Sequence, residues 1–412
     1  MTEKTIPVEE ELVECIKNLK LNNPEWGIKT IFNQITKNNE NWQVSEKRIK
    51  KLMQANQLTQ QSKENIIKSG LEDDPSVPVS FIDPQLDIQS VTSKVTAKMI
   101  DSVTGKGLFA ATDIIKDDII FTETPLTYFP PWEGYNLARS GNACGLCCKP
   151  FLRRGMIQGI RCQHCDISYC SKACKQQAID TFHPLECPGL NPKALPFINS
   201  CMNEDWQAPM AVFRIYAHLM LSHQRGELDK VLMHYNAFAT VNQAERQAKE
   251  TEWIFMEHPT RELWAKTRAL LKDALYQPPK KCKINQPLPD KLLNDLFNDE
   301  DTFLNYLGKF NINNQNGGMY LIHSHINHDC YPNVSIDYST TSQSQYKLMV
   351  RAVRDIKKGE QLFESYVNPR WNKETRQNYL SKSYLFDCKC NRCETDGPLT
   401  DELRKGLRLR DE

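Results

Sequence analysis

The chain has 412 residues, of which 40% are hydrophobic and 25% charged, with a formal net charge of +1 at pH 7. This composition excludes an intrinsically disordered chain, and the length is sufficient for two or more folded domains. No apolar run is long enough to span a bilayer, and the acidic start "MTEKTIPVEEEL" lacks the pattern of a secretory signal. We therefore expect an intracellular protein without membrane attachment, and the balanced charge gives no global attraction to nucleic acid.

Residues 1–70 are polar and predict an N-terminal helical module with two amphipathic helices. Their apolar faces are formed by Ile28, Ile31, Phe32, Ile35, Ile49, Leu52 and Met53. Ser45 is a suitable N-cap for the second helix, which carries Lys47, Arg48, Lys50 and Lys51. The segment resembles the helix-turn-helix of transposase-type DNA-binding domains, which implies contact with DNA or nucleosomes. A protein-docking module or a solvated helical face is the alternative, favoured by the acidic "VEEELVE".

A stretch with several prolines follows, and we assign residues 71–92 to a linker because proline continues neither a helix nor a central strand. From residue 93, alternating β-branched residues predict strands in "SKVTAKMID" and "GKGLFAATDIIKDDIIFTE". Helical spacing then dominates "APMAVFRIYAHLMLSHQ" and "RELWAKTRALLKDALY", and strands return in "YKLMVRAVRDIKKGEQLFESY". The predicted fold class is α+β and β-rich, with two β halves that flank inserted modules.

Fifteen cysteines in an intracellular chain indicate metal sites, because reducing compartments disfavour disulfides. Between residues 144 and 187, two Cys-x2-Cys pairs, one Cys-x3-Cys and one His-x3-Cys supply enough ligands for two zinc ions. Since alternating pairs usually interleave, we assign Cys144, Cys147, Cys170 and Cys174 to one ion. The second ion takes Cys162, Cys165, His183 and Cys187. His164 stays open as an alternative ligand, and Cys148 is interpreted as a bystander.

A third set of cysteines, Cys388, Cys390 and Cys393, has the spacing Cys-x-Cys-x2-Cys and lacks a fourth ligand. Cys330, in the segment "NHDCYPN", is the candidate. As the fourth ligand, Cys330 would connect the "NHDCYPN" segment to the segment with the other three cysteines, so that a site forms between them. Cys15, Cys201 and Cys282 are isolated and are predicted to be ordinary small side chains.

In this order, "GKGLFA", the cysteine cluster, "NHDCYPN", "GEQLFESY" and "CKCNRC" resemble the SET-domain lysine methyltransferases with an inserted MYND zinc finger, over about residues 93–395. The similarity is greatest to the branch with a short C-terminus that includes fungal histone methyltransferases. The resemblance implies a split SET domain at residues 93–143 and 301–370, a zinc-bound MYND finger at 144–187, a helical insert at 188–300, a post-SET zinc segment at 371–395 and a tail at 396–412.

The resemblance also implies an activity, which is methyl transfer from S-adenosylmethionine to a protein lysine, with a histone as the expected substrate. The implied cofactor-binding residues are Gly105, Lys106, Gly107, Asn311, Asn327, His328, Tyr366 and Phe386. Lys106 is expected to contact the methionine carboxylate, and Phe386 to stack on the adenine. Tyr366 is the implied catalytic residue and Tyr384 the implied wall of the lysine channel. Two zinc ions in the finger and one in the post-SET site complete the expected cofactors.

The chemistry needs a neutral amine, whereas free lysine has a pKa of about 10.4. A desolvated channel and the sulfonium charge of the cofactor both favour deprotonation, so we assign no general base. Two positions depart from the family pattern: Asp329 stands where serine is usual, and Asp180 where the finger usually has tryptophan. The alternative function is a catalytically weak, zinc-built adaptor for protein or chromatin recruitment. We expect a monomer in the nucleus and cytoplasm.

Overall fold

The protein is described by a computed structural model that covers residues 7–22, 26, 28–39, 41–55, 78–101, 104–151, 159–249, 259–338 and 346–408. Two compact units are present, Met1–Asp74 and Pro75–Glu412. Residues 56–70 of the predicted module, 71–77 of the predicted linker and 409–412 of the predicted tail lie outside the described residues. Within the described ranges, no helix combines the length and apolar character needed to cross a bilayer.

The helices are α1 (Glu9–Asn22), α2 (Ile28–Asn38), α3 (Glu46–Ala55), α4 (Trp132–Arg139), α5 (Lys172–Thr181), α6 (His183–Glu186), α7 (Ala194–Asn203), α8 (Ala208–Gln224), α9 (Leu228–Asn236), α10 (Gln243–Lys249), α11 (Arg261–Leu275), α12 (Asp290–Asn298), α13 (Glu300–Asn313), α14 (Lys373–Tyr384), α15 (Asn391–Thr395) and α16 (Asp401–Gly406). The strands are β1 (Val95–Asp101), β2 (Gly105–Ala110), β3 (Ile119–Glu123), β4 (Thr127–Tyr128), β5 (Ile160–Arg161), β6 (Ser168–Tyr169), β7 (Gly318–Met319), β8 (Asn327–His328), β9 (Val334–Tyr338), β10 (Leu348–Ala352) and β11 (Phe363–Glu364). Short 3-10 helices lie at Lys280–Cys282 and His323–His325.

The first unit is a small helical bundle of α1, α2 and α3. Its core consists of Leu12, Ile16, Ile31, Ile35, Ile49, Leu52 and Met53. Ser45 caps α3, since its hydroxyl accepts a hydrogen bond of 3.3 Å from the Arg48 amide. The two predicted helices are confirmed, and α1 adds a third one that completes the apolar core.

The second unit contains several small sheets rather than one large one. β1 and β2 form an antiparallel hairpin, and β3, β10 and β9 form a three-stranded sheet in that order. The pairs β4–β7 and β5–β6 are antiparallel, whereas β8 and β11 are parallel. Helical residues outnumber strand residues by a wide margin in the described ranges, so the expectation of a β-rich fold is wrong. The fold instead mixes many helices with short strands.

Part of the predicted linker is folded against the second unit. Val79 pairs with Thr240 through backbone hydrogen bonds of 3.3 and 3.1 Å. Asp83 is buried and its carboxylate bonds the Nδ1 atom of His234. The Thr92 hydroxyl donates to a carbonyl of β3 at 2.9 Å. Residues 78–92 therefore make ordered contacts within the second unit and are not a free linker. Proline is compatible with an ordered, extended segment as well as with a flexible one.

The helical insert has α8 at its centre. This helix is buried on all sides from Ala208 to Ser222, which explains its nearly continuous apolar sequence. Arg214 is one of its buried polar residues, with His218 and Ser222, and forms two contacts of 2.7 and 2.9 Å with the buried carboxylate of Glu186 on α6. This pair joins the helical insert to the cysteine-rich segment. The helices predicted at 208–224 and 261–276 are confirmed by α8 and α11.

Candidate active site and metal centres

The candidate site is built around the parallel pairing of β8 with β11. Asn327 pairs with Phe363 and His328 with Glu364, although more than thirty residues separate the two strands in sequence. Parallel strands need such a crossover, and here it contains β9 and β10. The Asn333 side chain fixes the junction, because it donates to the Gln361 carbonyl at 2.8 Å and accepts from the Phe363 amide at 2.7 Å.

Tyr366 follows β11 and is held at both its hydroxyl and its backbone. The hydroxyl donates to the Ile326 carbonyl at 2.7 Å, and the amide donates to Nδ1 of His328 at 3.0 Å. Burial, assisted by the nearby Glu364 carboxylate, raises the pKa of Tyr366 well above its ordinary value. The phenol is therefore neutral and fixed in position, as required of a group that orients a reactant.

Two further aromatic residues lie beside Tyr366 and His328. The Tyr384 ring lies with its centroid 4.7 Å from that of Tyr366, at an interplanar angle of 31°. Leu385 ends α14 in the left-handed region, at φ 63°, and this turn directs Phe386 toward the ring of His328 at 6.0 Å. Phe386 keeps 36% of its surface exposed, which is unusual for a large apolar side chain. An exposed aromatic face beside His328 fits the stacking of a flat ring such as adenine.

The glycine-flanked segment on β2 meets this centre through its backbone. The Asn327 amide donates to the Lys106 carbonyl at 3.0 Å. Gly105, which directly precedes Lys106, has φ +74°, a conformation that favours glycine. At Gly107, a Cβ would lie 2.7 Å from Cδ1 of Ile100 and 3.0 Å from Nε2 of Gln361, so a larger residue there would have to displace these side chains. The segment is thus adjacent to Asn327, as the sequence predicts.

The side chains of Lys106 and Asn311 lie elsewhere than expected. The Lys106 ammonium is buried and donates to the Ala237 carbonyl at 2.8 Å and to the Ser324 hydroxyl at 3.0 Å. It is directed into the protein, which differs from the expected contact with a cofactor carboxylate. The Asn311 amide donates to Gln243 on α10 at 2.8 Å. Asn311 is therefore bonded to the helical insert instead of to Asn327 and His328.

Two groups of four ligand atoms lie in the cysteine-rich segment, and within each group all atoms are within 4.8 Å of one another. The groups are Cys144, Cys147, Cys170 and Cys174, and Cys162, Cys165, His183 and Cys187. The β5–β6 hairpin explains this interleaving, because it places one cysteine pair at its turn and Cys170 at its end, beside Cys144. His164 is exposed and lies outside the second group, whose histidine is His183.

The third group joins two remote segments, as the sequence predicts. Cys330, just after β8, meets the cysteines that follow α14, and their sulfurs also lie within 4.8 Å of one another: Cys388, Cys390 and Cys393. Arg376 donates to the Cys393 sulfur at 3.9 Å. A guanidinium beside several thiolates offsets their negative charge. His328 Nε2 lies 3.3 Å from the Cys330 sulfur, which places this centre directly beside the candidate active site.

The spacing of the sulfur atoms fits zinc. Four thiolates at about 2.3 Å from a tetrahedral zinc ion lie about 3.8 Å apart. The Cys147–Cys170 and Cys330–Cys393 sulfur distances are 3.7 and 3.6 Å. Hydrogen bonds from neighbouring thiols lower the pKa of Cys144 and of Cys390, whereas the same bonds raise the pKa of Cys147 and of Cys388, so each of these groups contains one cysteine that readily forms a thiolate. These clusters support zinc, whereas the MYND identity of the inserted segment stays a prediction.

A buried ion pair beside the tyrosines was not foreseen from the sequence. His323 Nε2 lies 2.8 Å from Glu364 Oε1, and both side chains are buried. Glu123 reinforces the turn at this histidine by accepting from the amides of Ile322 and His323. Although burial lowers it, the carboxylates of Glu364 and Glu123 raise the pKa of His323. The only available signal was a glutamate within the apolar "QLFES" strand pattern, which names no partner.

The β2 strand and the paired strands β8 and β11 all lie within the range that a protein-family model matches. The model of the SET domain matches residues 105–367, more than half of the chain. The chain therefore belongs to the SET-domain family.

Curated relatives match nearly the whole chain. "Histone-lysine N-methyltransferase SET5" of Yarrowia lipolytica is 30% identical over 403 residues, which cover 95% of this chain and 83% of the relative. The proteins of the same name in Mycosarcoma maydis and Meyerozyma guilliermondii are 29% and 28% identical, and the matches cover 78% and 96% of this chain and 71% and 81% of theirs. A solved SET domain, "LSMT bound to Lysine and AdoHcy", covers 73% of this chain and 55% of its own at 13% identity, with a TM-score of 0.30, too low to bear on the argument.

Proposed function

We propose that this protein is a lysine methyltransferase that transfers a methyl group from S-adenosylmethionine to a lysine side chain of a histone. Membership of the SET-domain family and relatives that are named histone-lysine methyltransferases support the activity. The adaptor alternative is not favoured, since those relatives are named as enzymes. The observation that carries the proposal is the Tyr366 hydroxyl, fixed by Ile326 beside Asn327 and His328.

We assign each residue a role that the family resemblance implies and that its position supports. Asn327, His328 and the β2 backbone hold the cofactor, and Phe386 covers its adenine. When bound, S-adenosylmethionine supplies an electrophilic methyl group on a sulfonium. Tyr366 orients the acceptor amine, and Tyr384 forms a wall of the channel. The buried channel favours the neutral amine, and His323 compensates the charge of Glu364 so that this carboxylate does not hold the amine as an ammonium ion. Cys330, Cys388, Cys390 and Cys393 would hold the zinc ion that fixes the segments around His328 and Phe386, and the other two ligand groups would hold zinc within the cysteine-rich segment.

The test compares two tyrosine variants in the zinc-loaded protein, with core histones and tritiated cofactor. Tyr366→Phe is expected to lower kcat by about 100-fold, the effect of losing one well-placed hydrogen-bonding group in a buried site. Tyr379→Phe is the matched control, because this α14 tyrosine contacts Trp371 and Tyr384 through its ring. Unchanged incorporation by Tyr366→Phe would refute the role of this hydroxyl, and no incorporation by the wild type would favour the adaptor.

Partners and location follow from the same proposal. An enzyme that acts on histones acts in the nucleus. The names of the relatives give no support for the expected cytoplasmic location. The monomeric state expected from the sequence stays a prediction. The exposed Lys47, Lys50 and Lys51 of α3 support DNA or nucleosome contact by the first unit.

A further inference from the structure

The end of α9 and the three residues that follow it accept hydrogen bonds from several separate parts of the second unit. Lys106 from β2 donates to the Ala237 carbonyl at 2.8 Å, and Lys309 from α13 donates to the Tyr235 carbonyl at 2.8 Å. Asn313 donates to the Ala239 carbonyl at 2.8 Å. Free carbonyls at the end of a helix carry partial negative charge, so cations there are stabilising. The two lysines are 4–5% exposed, and their bonds are protected from water.

Lys106 differs from Lys309 in what else it touches. Its ammonium also reaches the Ser324 hydroxyl at 3.0 Å, in the 3-10 helix that leads into β8. Its carbonyl accepts from the Asn327 amide at 3.0 Å. One residue thus links the glycine-flanked strand, the end of α9 and the segment that carries Asn327 and His328.

We propose that Lys106 is a positioning residue for the cofactor site, one that acts by fixing Asn327 and the β2 backbone and not by contact with the cofactor's carboxylate. The inference rests on the proposed function, since it concerns how the same cofactor is bound. Burial lowers the pKa of Lys106 to about 7, although Asp83 and Glu123 oppose this shift. The Ala237 carbonyl and the Ser324 hydroxyl already accept hydrogen bonds from Lys106, so a carboxylate of the ligand is not needed to explain why this lysine is buried.

The test uses two ligands that differ in the amino-acid end. S-adenosylhomocysteine has the carboxylate, whereas its decarboxylated analogue lacks that group alone and keeps the amine, and titration calorimetry of the zinc-loaded full chain measures both Kd values. Lys106→Met is expected to weaken both ligands by the same factor, on the order of tenfold. Loss for S-adenosylhomocysteine alone would show direct contact and overturn the proposal, as would unchanged binding of both.

Lys309→Met is the matched control, because this lysine is equally buried and bonds the same helix end. It is expected to keep both Kd values within about twofold of the wild type. If it weakens binding as much as Lys106→Met does, the effect of Lys106→Met is explained by general destabilisation and the proposal is overturned. Ser324→Ala keeps the lysine and is expected to weaken both ligands by a smaller common factor. It also replaces Lys106→Met if that variant does not fold. If the wild type binds neither ligand, the proposed function itself fails. If the wild type binds both ligands but the Kd values of the variants differ from those expected, only the inference about Lys106 is contradicted.

Discussion

At the scale of single residues, His218 links burial to the pH dependence of stability. It lies on α8, and its Nδ1 is 2.9 Å from the Tyr235 hydroxyl. Burial lowers the pKa of His218 to about 3, with smaller contributions from Arg225 and His234. In the unfolded chain the ordinary value is about 6.5, so the unfolded state binds the proton first. The native state therefore loses stability as the pH falls from about 6.5 toward 3.

His218→Gln removes this titration and keeps a polar group for Tyr235. Between pH 6 and 4, the free energy of unfolding of the variant is expected to fall less steeply than that of the wild type, by up to about 1.4 kcal/mol per pH unit. Denaturant unfolding at several pH values measures the slope. His223→Gln, on the same helix but half-exposed, controls for acid release of zinc and should retain the wild-type slope. Equal slopes for wild type and His218→Gln would contradict the prediction.

The metal ligands could be assigned to groups at this scale from sequence, because pairs two to four residues apart must share an ion. The structural grouping agrees with the sequence assignment for all twelve ligands, of which Cys330 is assigned as the missing fourth ligand and not by spacing. Partners of buried charges could not be assigned in the same way. Lys106 meets Ala237 and Ser324, which are 131 and 218 positions away, and His323 meets Glu364 across the β8–β11 pairing. No local pattern encodes such contacts.

At the scale of elements, the third metal group holds β8 against the segment after α14. Cys330 lies two residues beyond His328, and Phe386 lies two residues before Cys388. Structural zinc contributes much of the folding energy of a segment that has little core of its own. Cys390→Ser is therefore expected to lower the zinc content from three equivalents toward two and to weaken S-adenosylhomocysteine binding at least about tenfold.

Elemental analysis and calorimetry on the same preparation check this expectation. Cys201→Ser is the control, since Cys201 is buried in α7 outside the three groups and should keep three equivalents and wild-type affinity. Full cofactor affinity in Cys390→Ser with only two zinc ions would show that the third centre does not support the site.

Long elements were predictable and short ones were not. α8 and α11 follow from sustained three- and four-residue spacing, and β1 and β2 from alternation. β4, β7, β8 and β11 each have two residues, too few for any periodicity. Their existence depends on pairing across the fold. The resemblance to the family, and not the pattern, therefore indicated where the "NHDCYPN" and "GEQLFESY" segments meet.

At the scale of the whole molecule, the chain divides into a small helical unit and a larger unit that contains the whole candidate site. Every proposed cofactor, channel and metal residue lies beyond residue 75. The first unit has its own apolar core, so its contribution to function is a matter of what its surface binds. Its basic helix α3 exposes Lys47, Lys50 and Lys51.

If those lysines contact phosphates, replacing all three by glutamine weakens DNA binding in a defined way. Each lost contact is expected to reduce the slope of log K against log salt by about 0.9, because fewer counterions are released. The measurement is fluorescence anisotropy with a labelled duplex at several salt concentrations, with full-length protein.

A matched triple change at Lys280, Lys281 and Lys283, three exposed lysines of the second unit, should leave the slope unchanged. Equal affinity and slope in wild type and the α3 variant would instead assign this unit to protein docking. Methylation of a short histone peptide should be the same in all three proteins, because the peptide offers no phosphates and the candidate site lies wholly in the other unit.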